Sequence, residues 1–235
     1  MEIKSKKALV FGGTSGIGLA TCEQLIEKGA DVIAISRDPR KAHSVKHNKL
    51  SFESCDVRVE DEVKNICKKH APFEILVSAA TGGSRAAGSF LEMDMLGFRS
   101  SFDKLWGYAN IVRYGTNHLS SDGTIVLVSG APARRMKPGQ IALSAVGGAV
   151  ENLVRGVANE IAPRRINTVS PGLIDTPMFS QEGENRNIFL NSATASHSIK
   201  RAGKPEEVAK GIIFVIENDF VNGTTVDIDG GWINS

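Results

Sequence analysis

The sequence predicts an α/β protein built around one doubly wound parallel sheet with helices on both faces. Short runs of apolar and β-branched residues recur along the chain, and segments of helical period separate them. Near-continuous apolar strands that alternate with helices are typical of a parallel sheet buried on both faces. The chain has 235 residues, 41% of them hydrophobic, which suffices for one sizeable core, so we expect a single domain over residues 1–235.

The predicted strands and helices follow one another in regular order. About seven runs have the composition of strands; they lie at residues 8–11, 32–36, 50–55, 75–78, 124–129, 166–169 and 224–228. The first helix, residues 17–28, ends at Gly29, and a late helix opens at residues 204–207 with proline and acids in its first turn. Two longer helical stretches, about 97–119 and 138–161, flank the fifth strand.

Residues 178–203 interrupt this alternation. They are polar and rich in Ser, Asn and Glu, and they contain no clear strand. A long irregular insertion in a compact domain is commonly a functional lid or a disordered loop. We interpret the segment as a substrate lid, with the disordered loop as the alternative.

A glycine-rich turn directly follows the first strand and opens the first helix. Gly12 permits a tight turn, Gly16 lets the backbone approach a pyrophosphate, and Gly18 lets helix and strand pack closely. The helix N-terminus offers free amide donors to phosphates. The turn therefore predicts a dinucleotide-binding, Rossmann-like domain.

The glycine spacing G-x-x-x-G-x-G resembles that of the short-chain dehydrogenase/reductase family, and the resemblance extends over nearly the whole chain. Residues 55–57 (Cys-Asp-Val) are similar to the family's Asp-Val element beside the adenine. Residues 170–176 (SPGLIDT) are similar to its Pro-Gly motif, whose threonine reaches the nicotinamide side, and residues 201–208 and 229–231 are also characteristic. The resemblance implies a nicotinamide-dependent oxidoreductase.

The turn and the resemblance together assign the cofactor-binding residues. These are Gly12, Thr14, Ser15, Gly16, Ile17, Gly18, Ser36, Arg37, Asp56, Val57, Ala79, Ala80, Pro171, Gly172, Ile174 and Thr176.

The end of the second strand indicates which nicotinamide cofactor is bound. An acidic residue there would accept from the ribose 2′-hydroxyl and repel a 2′-phosphate. This chain has Ser36 followed by Arg37, and a hydroxyl beside a guanidinium suits a phosphate dianion. We therefore expect NADP(H) in preference to NAD(H), unless Arg37 is simply a solvated loop residue.

The catalytic residues of the family are replaced in this chain. Its asparagine, serine, tyrosine and lysine correspond to Lys104, Gly130, Leu143 and Gly147. The family's tyrosine, made more acidic by the lysine, delivers a proton as hydride reaches carbon, and general acid catalysis is worth about 10² to 10⁴ in rate. Ordinary carbonyl reduction should therefore be slow unless another donor has taken over.

Neighbouring residues do not restore the pattern. The chain's only tyrosines, Tyr108 and Tyr114, lie in a helix well before the fifth strand. Ser129 and Ser144 each lie one residue from a replaced position, and neighbours on a strand or helix point elsewhere.

Charged residues near the expected nicotinamide are the remaining candidates for catalysis. They are Asp175, Arg134 and Lys104, with Arg135 and Lys137 in the same loop as Arg134. A lysine or carboxylic acid can donate a proton if burial shifts its pKa, whereas arginine only stabilises charge. Taken alone, each residue is more simply explained as a solvated loop charge or a local cap, and Asp175 is the strongest candidate because it precedes Thr176, which should face the nicotinamide.

Three functions stay open on sequence alone. The first is an NADPH-dependent reductase that acts without a tyrosine, on an iminium or another activated acceptor that needs little acid. The second is a nucleotide-binding non-redox enzyme, such as a cyclase, isomerase or lyase. The third is a catalytically inactive NADP(H)-binding regulatory module, because the loss of one mechanism does not reveal its replacement.

Composition favours a small-molecule substrate as partner. Lys and Arg number 28 against 26 acidic residues, and a net charge of +2 gives no field that would indicate nucleic acid or a membrane. The three cysteines form no metal-type pair, so we expect no metal and a reducing, cytoplasmic location. Small residues at 142–149 in the second long helix, together with the resemblance, predict a homodimer or homotetramer.

Overall fold

The computed structural model describes residues 1–42, 47–81 and 85–235. Seven strands form its sheet: β1 (Lys7–Phe11), β2 (Asp31–Ser36), β3 (Leu50–Ser54), β4 (Phe73–Ser78), β5 (Leu119–Val128), β6 (Arg165–Pro171) and β7 (Thr225–Ile228). All neighbouring strands are parallel, in the order β3-β2-β1-β4-β5-β6-β7. The predicted doubly wound parallel sheet is confirmed.

Among the described residues, seven α-helices connect these strands: α1 (Gly16–Glu27), α2 (Glu60–His70), α3 (Met95–Ser101), α4 (Asp103–Gly115), α5 (Ile141–Glu160), α6 (Gly183–Thr194) and α7 (Pro205–Glu217). Buried residues of α2, α4 and α5 pack on one face of the sheet, and those of α1 and α7 pack on the other. Along β1, Leu9 and Phe11 join the first group while Ala8 and Val10 join the second. This alternation is what a strand buried on both faces requires.

The strand order reverses at β1. This strand pairs with β2 on one side and with β4 on the other, so the chain crosses over between β3 and β4. In open parallel sheets such a reversal leaves a crevice outside the carboxyl ends of the strands, where ligands bind. The glycine-rich turn lies at this crevice, because it directly follows Phe11 at the end of β1.

The first long helical stretch is two helices rather than one. α3 ends at Ser101 and α4 begins at Asp103, with Phe102 between them. The side chain of Asp94 caps α3 by accepting from the amides of Leu96 and Gly97. Helical periodicity alone did not reveal this break, because apolar residues continue on both sides of it.

β5 begins at Leu119, five positions earlier than the predicted start at residue 124. The turn-type residues at 120–123 disguised the opening of the strand, where pairing with β4 shifts register between Phe73 and Ile75.

Residues 178–203 contain α6, which the polar composition did not predict. α6 buries only Leu190 and Thr194, so its sequence carries almost no amphipathic signal.

α5 is long and apolar enough by composition to cross a membrane. Its Val150, Val154 and Ala158 are buried against the sheet, as in the central helix of a globular core.

Candidate active site

A large cavity opens along the carboxyl ends of the strands. Its volume is about 1040 Å³. The structure brings together around it every residue that the sequence assigned to cofactor binding: Gly12, Thr14, Ser15, Gly16, Ile17, Gly18, Ser36, Arg37, Asp56, Val57, Ala79, Ala80, Pro171, Gly172, Ile174 and Thr176.

The glycine-rich turn leaves no room for a side chain at Gly12 or Gly18. Gly12 has φ of +80°, and a Cβ there would lie 2.7 Å from the amide nitrogen of Ala80. A Cβ on Gly18 would lie 2.1 Å from the carbonyl oxygen of Gly12. The side chain of Ser15 does not cap α1, so the amides of its first turn face the cavity without that acceptor. A dinucleotide pyrophosphate fits these donors.

One end of the cavity suits the adenosine ribose. The hydroxyl of Ser36 at the end of β2 is buried and has no hydrogen-bond partner, although a buried hydroxyl normally finds one. Arg37 lies beside it. Asp38 also lines this end, and the sequence analysis missed it; its Oδ1 accepts from Nε of Arg40 at 2.8 Å. A phosphorylated ribose fits the orphaned hydroxyl and the guanidinium.

Asp56 lies farther along the same end of the cavity. Its carboxylate accepts hydrogen bonds from Arg58, at 3.0 Å from Nε and 2.6 Å from Nη2. These bonds hold the pKa of Asp56 below its usual range, so the carboxylate is charged at neutral pH.

The four positions where the sequence lacks the expected catalytic residues lie on one stretch of the cavity lining. They are Lys104 of α4, Gly130 after β5, and Leu143 and Gly147 of α5. Gly147 is packed against the turn at 131–133, since a Cβ there would lie 2.9 Å from the Cβ of Ala133. This part of the lining has an aliphatic side chain where the family resemblance expects a phenol.

Neither tyrosine lines the cavity. The hydroxyl of Tyr108 is buried and donates to the carbonyl oxygen of Val128 at 3.0 Å, and burial raises the pKa of this phenol. The hydroxyl of Tyr114 donates to Oε2 of Glu60 at 2.6 Å. Both phenols are therefore committed to structural hydrogen bonds.

Of Lys104, Arg134 and Asp175, Lys104 is the residue that lines the cavity. Its Nζ donates to the carbonyl oxygen of Ser129 at 3.0 Å and lies 5.5 Å from the ring centre of Tyr108. Burial lowers the pKa of the Lys104 ammonium to about 7, and repulsion by the nearby Arg85 guanidinium adds to the effect. An ammonium with this pKa can release a proton at neutral pH.

Arg134 and Asp175 are not among the residues that line the cavity. Arg134 is paired with Asp227 and lies 3.5 Å from the buried carboxylate of Glu151. Asp175 accepts from Nε of Arg186 at 2.8 Å. Arg135 also lies outside the lining, whereas Lys137 is part of it.

Besides Asp38, the sequence analysis missed Arg85 and Phe189 of the lining. Arg85 precedes α3 in the long β4–α3 connection and carries no motif. Phe189 lies on α6, where its ring centre is 5.2 Å from that of Phe179. The only available signals were a cation in a loop after a strand and an aromatic residue in a polar segment.

Arg186 holds α6 beside the cavity through hydrogen bonds. Besides Asp175, this side chain donates to the carbonyl oxygens of Thr176 at 2.8 Å and Phe179 at 3.0 Å. Ile174 forms an isolated parallel bridge with Gly203, so the two ends of the intervening segment lie together.

The switch point, the glycine cradle and the cavity along the strand ends define a dinucleotide-binding α/β protein. A family model described as enoyl-(acyl carrier protein) reductase matches residues 12–233. Carbonyl reductase family member 4 of Danio rerio is 30% identical over 97% of this chain and 98% of its own length. The 3-oxoacyl-[acyl-carrier-protein] reductase FabG of Thermotoga maritima is 29% identical over 99% of this chain and 100% of its own.

A solved short chain dehydrogenase/reductase family protein superposes with a TM-score of 0.88 at 30% identity, covering 100% of both chains. The chain belongs to the short-chain dehydrogenase/reductase family. It is an oxidoreductase of a family that binds nicotinamide cofactors and acts on small molecules.

Proposed function

We propose that this protein is an NADPH-dependent reductase that works without a tyrosine, with Lys104 as the group that faces the acceptor. The observation that carries the proposal is the pair of side chains on the cavity lining: Leu143 stands where a phenol is expected, and Lys104 supplies the ammonium nearby.

The preference for NADPH rests on the ribose end of the cavity. Ser36 offers an unpartnered hydroxyl and Arg37 a guanidinium, and both suit a 2′-phosphate. An acid such as Asp38 would favour NADH, but its carboxylate already accepts a hydrogen bond from Arg40. The affinity ratio of NADPH to NADH, measured by fluorescence titration, should exceed about 10 and should fall for Arg37→Gln. A ratio near one would refute the preference.

The bound nicotinamide would supply a hydride, and the residues of this chain would orient the acceptor and provide a proton. A carbonyl that gains hydride at carbon needs one proton at oxygen, and Lys104 can give it from Nζ and be reprotonated from solvent. The Ser129 carbonyl fixes that ammonium at 3.0 Å. Proton and hydride together convert the carbonyl to an alcohol.

An iminium is the second acceptor class. It already carries the proton, so hydride alone converts it to an amine and no acid is needed. The lining is not wholly apolar, however, and a cationic acceptor would meet Lys104 and Arg85 at close range. We therefore favour an activated carbonyl over an iminium.

Single-turnover oxidation of NADPH, followed by its absorbance, tests the proposal. The wild-type protein should reduce an activated ketone, and Lys104→Met should slow that step by about 10²-fold or more. Lys68→Met, on the exposed face of α2, is the matched control and should have no effect. Turnover of any substrate without a change in nicotinamide absorbance would indicate a non-redox enzyme. Nucleotide binding with no turnover of any acceptor would indicate a regulatory module.

We also propose that the protein forms a homodimer or homotetramer through α4 and α5. Trp106 of α4 is 64% exposed, and Gly148 and Gly156 of α5 leave room for close helix approach. Light scattering should give a mass of at least twice 25.1 kDa, and Trp106→Glu should reduce it. A monomeric wild type would refute this proposal.

A cytoplasmic location is proposed on the cysteines, since Cys22, Cys55 and Cys67 are all free and buried.

A further inference from the structure

Three cations line the part of the cavity that includes Gly130 and Leu143, which we call the acceptor end. Arg85 comes from the β4–α3 connection, Lys104 from the first turn of α4, and Lys137 from the β5–α5 connection. Arg85 is near enough to Lys104 for their repulsion to act on the lysine ammonium. Like charges placed together in a cavity are unfavourable unless something of opposite charge joins them.

No protein carboxylate offsets these charges within the part of the chain that the structure describes. The cavity is lined by two acids, Asp38 and Asp56, and both lie at the ribose and adenine end. No salt bridge of the described residues includes Arg85, Lys104 or Lys137. Residues 82–84, which are not described, are Gly, Gly and Ser and bring no acid.

Charges just outside the cavity behave differently. Arg134 is paired with Asp227, and Arg186 is paired with Asp175. Arg37, at the ribose end, does not belong to this excess of positive charge, because the proposed function assigns it to the 2′-phosphate of the cofactor. The excess of positive charge is thus local to the place where the acceptor would bind.

We propose that Arg85 and Lys104 form an anion-binding site for a carboxylate of the substrate, so that the acceptor is a carbonyl compound bearing a carboxylate close to the reacting carbon. The guanidinium of Arg85 offers paired donors that match a carboxylate, and the ammonium of Lys104 would be shared between that carboxylate and the carbonyl oxygen. This inference rests on the proposed reductase function for the identity of the reacting group, although the anion site itself does not.

The acceptor end also carries several large apolar side chains. Leu143, Phe179, Phe189 and Trp232 line it. A substrate with an acidic head and an apolar body matches this division, since the cations bind the head while the body displaces water from the side chains. A neutral substrate of the same shape would leave the two cations without a partner.

Direct binding of paired probes tests the anion site without any turnover. Oxalate is compared with oxamide, and phenylglyoxylate with its methyl ester, by calorimetry on the protein saturated with NADP⁺. Each pair differs in charge and little in shape. We expect each anion to bind about 10- to 100-fold more tightly than its neutral counterpart, as charged hydrogen bonds provide.

Variants locate the site. Arg85→Gln should abolish most of the preference for the anion while NADPH binding is retained, which shows that the variant is folded. Arg99→Gln, an exposed arginine of α3 outside the cavity lining, is the matched control and should keep the preference. Equal binding of anion and neutral probe in the wild type, or an unchanged preference in Arg85→Gln, would overturn the proposal.

The same probes separate the two proposals. If the anions bind selectively but phenylglyoxylate causes no oxidation of NADPH, the anion site stands and the reductase function fails. If NADPH is oxidised equally fast by neutral ketones and by phenylglyoxylate, the reductase function stands and the anion site fails.

Discussion

Lys104 shows how one side chain can change the chemistry of a site. Its ammonium is held at the Ser129 carbonyl, beside the guanidinium of Arg85 and the ring of Tyr108. Neither an arginine nor a buried phenol changes charge near neutral pH. Lys104, with a pKa of about 7, is therefore the group in this cluster that gains or loses a proton there.

The first prediction concerns pH. In the proposed mechanism the donor is the protonated Lys104, and burial lowers its pKa to about 7, so carbonyl reduction should be constant below that pH and should decline tenfold per unit above it. Single-turnover rates between pH 5.5 and 9 measure this, with a neutral activated ketone below saturation, because a substrate carboxylate beside Lys104 would raise its pKa. Lys104→Met should show a low rate with no such inflection. An inflection that survives in Lys104→Met would mean that another group donates the proton.

Gly147 limits which of the family's catalytic residues can be restored by substitution. The family lysine would need a Cβ 2.9 Å from the Cβ of Ala133, whereas a serine at Gly130 would meet Pro132 at an ordinary 3.7 Å. Gly130 is in an extended conformation that any residue adopts.

The second prediction follows from this difference. Gly147→Lys should lower the free energy of unfolding by about 1–3 kcal/mol, as overpacking does, while Gly130→Ser should change it by about 1 kcal/mol or less. Urea denaturation measures both. The double variant Leu143→Tyr, Gly147→Lys should therefore fail to gain activity. Equal stability of the two single variants would contradict the packing argument.

At the scale of elements, α6 depends on one side chain for its position. Its own sequence buries little, and Arg186 links it to Asp175 and to the backbone beyond β6. Helices with few buried contacts open locally at low free energy.

The third prediction is that Arg186→Gln loosens this helix. Loss of its charged hydrogen bonds should lower the local opening free energy of residues 183–194 by about 1–3 kcal/mol. Hydrogen exchange of the amides measures this, and KM should rise because Phe189 belongs to the cavity lining. Arg201→Gln, which breaks the exposed pair with Glu207, is the control and should leave exchange in α6 unchanged. Unaltered exchange in Arg186→Gln would refute the fastening role.

The elements that sequence predicted well are those with strong local signals. Apolar runs located the strands, and glycine and proline located the ends of α1 and the start of α7. The break at Phe102, the early start of β5 and α6 were missed, because each depends on tertiary contacts rather than on periodicity. The site divides in the same way: motifs predicted residues that the structure places around one cavity, while Arg85 became visible only when the fold brought it close to Lys104.

For the whole molecule, the protonated form of Lys104 lowers the free energy of unfolding. Unfolded lysine has a pKa of about 10.4, and Lys104 in the fold has a pKa of about 7. Between these values the unfolded chain binds more protons, so this group makes stability rise with pH across that window. Below about pH 7 its destabilising effect is fully present.

The fourth prediction is a pH-dependent gain in stability for Lys104→Met. At pH 6 the variant should unfold with a free energy about 1–3 kcal/mol higher than the wild type, since a partly buried, desolvated charge is removed. The difference should shrink as pH approaches about 10, where unfolded lysine also loses its proton. Urea denaturation at three pH values measures it. A variant that is less stable than the wild type at pH 6 would contradict the argument.

The bridge between Ile174 and Gly203 has a consequence for engineering. Because Ile174 and Gly203 lie side by side, the segment between them starts and ends at almost the same point of the fold. A replacement segment of different length would therefore not have to bridge a distance between its two ends. The part of this segment after Thr176 can be exchanged as a unit, and new specificities could be grafted there while the sheet and the nucleotide-binding residues, Thr176 included, stay as they are.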